Sequence, residues 1–140
     1  MMKSTRSMIA LIAGLFIVVA SAVFVFVLMN GSRQETEVLI SGSQVEFTGQ
    51  YGITYEISEI AEIKIEETIP TILRRTNGAS VGDIKKGSFE LEGLGKCRLF
   101  IHSPDGPYVY IRIGSSYTIV NYEDDGKTEE LYKNLAEAID

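Results

Sequence analysis

Apolar and polar positions along this chain follow three successive patterns. From Met8 to Met29 the run MIALIAGLFIVVASAVFVFVLM holds no charge over 22 residues. As a helix rising about 1.5 Å per residue it would cover roughly 33 Å, enough to cross a bilayer. Fourteen of those residues are Leu, Ile, Val or Phe, each favourable by about 0.3–0.6 kcal/mol at mid-membrane, so insertion is expected. From residue 37 the pattern changes to short β-branched and aromatic runs broken by turn residues, which predicts an all-β meander. Strands are expected near Val38 to Ser41, Gln44 to Thr48, Gly52 to Ile57, Ala61 to Glu66, Thr71 to Thr76, Gly87 to Glu92, Lys96 to His102, Tyr108 to Ile113 and Tyr117 to Tyr122. Near the end the period becomes four, with Leu131, Leu135 and Ile139 aligned and Tyr132 and Ala136 beside them. That is the apolar stripe of a terminal helix.

Interruptions in the pattern locate the joints. In YEISEIAEIKIEE the alternation slips at Ser58-Glu59 and resumes at Ile63 and Ile65, which predicts a bulge or tight corner. Ser103-Pro104-Asp105-Gly106-Pro107 and Gly114-Ser115-Ser116 read as turns, and Asn77-Gly78 is a further turn signal. Gly93 and Gly95 fit the hairpin joining FELE to KCRLFIH, where positive φ is needed. Asp124 or Asp125 can cap the terminal helix, with Glu129 and Glu130 in its first turn.

The chain therefore divides into a basic N-terminus (1–7), a membrane helix (8–29), a short polar tether NGSRQET (30–36) and one small domain (37–140). A signal peptide cleaved after Ala22 is the competing reading. It is disfavoured because VFVFVLM follows Ala22, leaving the cleavage point inside hydrocarbon. Lys3 and Arg6 precede the span and Arg33 alone follows it, so the positive-inside rule puts the N-terminus in the cytosol and the domain outside.

Charge narrows the functions. The formal charge is −6, and after the apolar segment 11 Lys and Arg stand against 19 Asp and Glu, a balance of −8. Bulk nucleic-acid binding is disfavoured, since phosphate contact needs a cationic face. The single cysteine, Cys97, reads as a small core residue, and His102 as a solvated or hydrogen-bonded one on the opposite strand face. The carboxylates of YEISEIAEIKIEE read as a solvated strand face, and Glu123-Asp124-Asp125 lacks the spaced ligands of a calcium loop. Gly82 and Gly87 have phosphate-loop spacing, but Ser88 stands where lysine is required and a strand follows. No cofactor, metal cluster or nucleophile with a base is legible, so an enzyme ranks last.

The succession IPTILRRTNG, GSFELEGLGK, PYVYIRI, IVNYEDD and TEELYKNLAEAI resembles the bacterial pleckstrin-homology-like domains. The resemblance covers roughly residues 37–140. It implies a bent sheet or partly open barrel closed at one end by the C-terminal helix, with no catalytic residues and frequent attachment to membrane segments. Eukaryotic relatives grip phosphoinositides with basic residues in the first hairpin, but no Lys or Arg lies between Arg33 and Lys64. The expected function is a membrane-tethered, non-enzymatic module that offers a sheet edge or its loops to a protein partner. The alternative is recognition of an anionic ligand or lipid head group by Arg74, Arg75, Lys85, Lys86, Lys96 and Arg98.

Overall fold

The computed structural model describes the backbone of residues 2–140 and the side chains of residues 4–28 and 34–140. Two compact units result, Met1–Gly31 and Ser32–Asp140. The first element, α1, is a continuous helix over Met2–Arg33. Its stretch Ser4–Leu28 is long and apolar enough to cross a membrane, and its Leu15, Phe16, Phe24 and Phe26 side chains are exposed. Such a helix serves as a membrane span or a signal sequence. It continues four residues, Asn30 to Arg33, into the stretch expected to be tether. Extending a helix already nucleated needs no new nucleus, which offsets a penalty of about 1 kcal/mol for Gly31.

The second unit is mainly β, closed by a helix. Strands β1 (Val38–Ser41), β2 (Gln44–Phe47) and β3 (Ile53–Glu56) form a three-stranded antiparallel meander. A 3-10 turn over Ile57–Glu59 then leads into β4 (Ile60–Glu66), where the register shifts between Ile60 and Glu62. The slip in alternation thus has two physical parts, a tight turn and a bulge. β5 (Ile72–Val81), β6 (Ile84–Leu91), β7 (Gly95–Ile101), β8 (Tyr108–Ile113) and β9 (Ser116–Val120) join β4 in a six-stranded sheet of order β4-β8-β9-β7-β6-β5. Only the β7–β9 pairing is parallel. The end strands β4 and β5 do not pair with each other, so the sheet stays open.

Asn77-Gly78 is not a turn. Both residues lie within β5, and the chain reverses at Gly82 instead, where φ is +58°. Gly78 stands opposite Gly87 across the β5–β6 ladder. A Cβ on Gly78 would lie 2.3 Å from the Lys86 carbonyl oxygen. The glycine is there because two backbones meet, not because the chain turns. Gly93 and Gly95 do shape the β6–β7 hairpin, with φ of +79° and +73°.

The central strands of the six-stranded sheet bury side chains on both faces. One face packs Phe100, Val109, Ile111 and Val120 against Val45 and Phe47 of the small sheet and Leu131 and Leu135 of the terminal helix α2 (Asp125–Ile139). Phe47 and Phe100 stack at 5.0 Å between ring centres. The other face gathers Phe89, Leu91, Leu99, Ile101, Tyr108, Tyr110 and Ile119, with Ile69 and Ile72 packed against them. The Tyr110 hydroxyl donates to the Thr68 carbonyl at 2.7 Å, which ties down the β4–β5 connection. Asp124 caps α2 by accepting from the Gly126 amide at 2.9 Å. The acid in the first turn is Asp125, not Glu129 or Glu130, because the helix begins earlier than its apolar stripe. Of that stripe Ile139 remains 38% exposed.

Candidate functional site

The six cations of residues 74–98 do not form one cluster. Arg74 Nε pairs with Glu90 Oε2 at 2.5 Å. Lys85 Nζ donates to Ser80 Oγ at 2.7 Å and to the Gly82 carbonyl at 3.2 Å, bracing the β5–β6 turn. Lys86 is 2% exposed and donates to the Gln34 carbonyl; burial pushes its ammonium pKa down. Arg75 is exposed on edge strand β5. Lys96 and Arg98 alternate along β7, so they share a face.

Lys86 belongs to a polar network that sequence reasoning did not find. Residues 34–36 lie in it: the Thr36 amide donates to His102 Nε2 at 3.3 Å, the Tyr122 hydroxyl donates to the Thr36 carbonyl at 2.7 Å, and Lys127 pairs with Glu35. Of the two readings of His102, solvated or hydrogen-bonded, the second holds: it is buried, it accepts the Thr36 amide, and its ring stacks on Tyr122. Desolvation is the main cause that lowers the His102 pKa to about 4, helped by the nearby Lys86 and Lys127 and opposed by Glu35. Asn121, fully buried, accepts from the His102 amide at 2.9 Å and donates to the Ser103 and Asp105 carbonyls, both at 3.1 Å. The cluster is assembled by contacts such as Thr36 with His102, 66 positions apart, and no local spacing announces it. Cys97 lies on the opposite face of the sheet, buried, and its thiol pKa is pushed up by desolvation.

The four edge strands differ in how they are protected. β4 carries Glu62, Lys64 and Glu66 and a bulge, and β5 carries Arg74 and Arg75 and two register shifts. β3 ends in Glu56 and runs into the 3-10 turn. Charges and bulges are the usual defences of a sheet edge. β1, Val-Leu-Ile-Ser, has neither, and it leaves Leu39 47% and Ile40 36% exposed.

Register shows which backbone groups are free. The β1–β2 hairpin closes with Ser41 opposite Gln44, and the Thr48 amide donates to the Glu37 carbonyl at 2.9 Å. Glu37, Leu39 and Ser41 therefore address β2, while the amides and carbonyls of Val38 and Ile40 point to the open side. A groove of about 300 Å³ lies between this strand and α2, lined by Glu37, Val38, Leu39, Lys127, Glu130 and Leu131 among others.

No family model, characterised protein or solved structure matches the chain.

Its own geometry has to carry the function. Two hollows flank the small sheet. The groove by β1 combines free backbone groups, exposed apolar side chains and a net acidic rim, because Lys127 is already paired with Glu35 while Glu37 and Glu130 also line it. The second hollow, about 510 Å³, lies beside β3 and brings together Lys96 and Arg98. What marks β1 in the sequence is VLIS, a strand with no charge among edge strands that all have one.

Proposed function

We propose that this chain is a membrane-tethered, non-enzymatic interaction module of the pleckstrin-homology-like kind, which takes an extended segment of a partner protein onto the free edge of β1. The carrying observation is the contrast among edges: β1 alone of the four lacks charge and bulge, and a groove runs beside it. Added strands gain main-chain hydrogen bonds along the edge and specificity from alternate side chains. The rim carboxylates of Glu37 and Glu130 favour a segment with apolar side chains and a basic residue. A second copy of the chain suits the edge less well, since pairing β1 with β1 would bring those carboxylates together in a domain already strongly acidic.

The mainly antiparallel strands followed by an amphipathic terminal helix support the pleckstrin-homology-like reading, and the parallel β7–β9 pair does not add to that support. The apolar run past Ala22 supports an anchor that stays attached, and Lys3 and Arg6 ahead of it support a cytosolic N-terminus. The partner is then a membrane or envelope protein on the domain's side of the bilayer.

The full chain in phosphatidylcholine nanodiscs, titrated with labelled extended peptides of alternating apolar residues and one lysine, tests this reading. The Ile40→Pro variant removes an amide that faces outward, so the β1–β2 ladder keeps its bonds and peptide affinity falls about tenfold. A peptide with glutamate in place of lysine binds more weakly. Unchanged affinity in Ile40→Pro contradicts the edge reading, and concentration-dependent self-association lost in the same variant assigns the edge to a second copy instead.

A further inference from the structure

The second hollow departs from the rest of the domain in its electrostatics. Outside α1 the domain is heavily acidic, yet no carboxylate lines this cleft, and its two charged groups are both cations, Lys96 and Arg98. Its floor follows the register. Ser88 of β6 and Thr118 of β9 both stand opposite Arg98 of β7, so three donor side chains cross the sheet in one row. Ser115, in the β8–β9 turn, joins them at the wall. Ile53, Leu94 and Ile113 give the cleft an apolar side.

Most of these donor groups have no partner among the described residues. Arg98 Nη1 donates to the Tyr51 carbonyl at 3.2 Å, and among the described residues the guanidinium has no ion pair, which leaves most of its planar fork free. Glu90 stands opposite Lys96 across β6 and β7, but it is taken by Arg74 at 2.5 Å. Thr118 is the exception, its hydroxyl bonded to Tyr55 at 2.9 Å. That bond ties β3 to the floor and holds the cleft's two sides together.

The geometry points to this cleft as a binding site for a small amphipathic anion, a carboxylate or phosphate on a compact apolar body. Arg98 grips the anionic group through its fork. Lys96 adds charge at the mouth, Ser88 and Ser115 donate to remaining oxygens, and Ile53, Leu94 and Ile113 cover the body. The volume falls within the range of small-molecule pockets, about 300–1,000 Å³. The site lies on the β3 side of the small sheet, opposite the β1 edge, so one protein can hold both occupants at once.

Calorimetry on the full chain in phosphatidylcholine nanodiscs tests the site with phenyl phosphate and benzoate as probes, and benzyl alcohol and benzylamine as neutral and cationic controls. The anions bind and the controls do not. Arg98→Lys keeps the charge but loses the fork, and weakens phenyl phosphate by about tenfold or more. Ser115→Asp, at an exposed turn position that no fold contact needs, abolishes binding, while Arg75→Gln on the far edge leaves it unchanged. Nanodiscs containing phosphatidic acid separate the sources: competition with phenyl phosphate assigns the anion to a lipid head group, and its absence assigns it to a free metabolite. The proposal is overturned if neither anion binds in either disc, or if binding survives both Arg98→Lys and Ser115→Asp.

Discussion

Alanine at Gly87 is expected to destabilise the domain by about 4 kcal/mol, the sum of backbone strain and overpacking. Gly87 has φ of +106°, and a Cβ there would lie 2.5 Å from the Asn77 carbonyl oxygen and 2.6 Å from Gly78 Cα. Both neighbours are backbone of the paired strand, so neither can rotate away. The Tyr51 ring, 3.2 Å from the same point, covers the glycine pair from the other direction, and Tyr51 itself sits at φ of +61°. Gly82 provides the internal control. Its φ is also positive, at +58°, but nothing lies within 4 Å of a Cβ, so alanine there costs about 1 kcal/mol from conformation alone. Urea unfolding of both variants, followed by tyrosine fluorescence, separates crowding from φ. Equal losses at the two glycines would show that the β5–β6 approach is not tight.

Acid is expected to weaken the domain as the pH falls below about 6.5, through His102. The unfolded chain protonates His102 near the ordinary value of 6.5, whereas the folded domain resists until about 4. Between those values the unfolded state binds more protons, so stability rises with pH across the window. It is fully present above about pH 6.5 and falls as the pH drops toward about 4, with roughly 2 kcal/mol lost by about pH 5 and about 3 kcal/mol in all. His102 is only 3% exposed, so solvent screens this little. Desolvation by burial sets the direction, and Lys86 on β6 and Lys127 on α2 repel an imidazolium more than Glu35 attracts one; the unprotonated Nε2 accepts the Thr36 amide. His102→Gln, neutral at every pH, removes this slope over the same window. A wild-type unfolding midpoint that is flat between about pH 7 and 5 contradicts the burial of this ring.

Periodicity and turn chemistry located most of the fold. β1, β8, the Gly93-Gly95 hairpin and the terminal helix follow from local rules that hold whatever the rest of the chain does. Asn77-Gly78 misled because a glycine required by a close backbone approach looks, in sequence, like one required by a turn. The buried network around Thr36 was invisible for a different reason. Lys86 reads as a surface residue until the fold brings Gln34 and His102 to it. The candidate sites were half legible: Lys96 and Arg98 were singled out, but only strand pairing shows that Ser88 and Thr118 join Arg98 and that Glu90 is taken by Arg74.

The free edge of β1 is most directly examined by amide hydrogen exchange on the full chain in nanodiscs, with and without the lysine-bearing peptide. The amides of Val38 and Ile40, which point away from β2, exchange quickly in the free protein and become protected on binding, while Leu39, already bonded to β2, changes little. Protection that appears elsewhere and leaves Val38 and Ile40 open would mean that the partner does not extend this sheet.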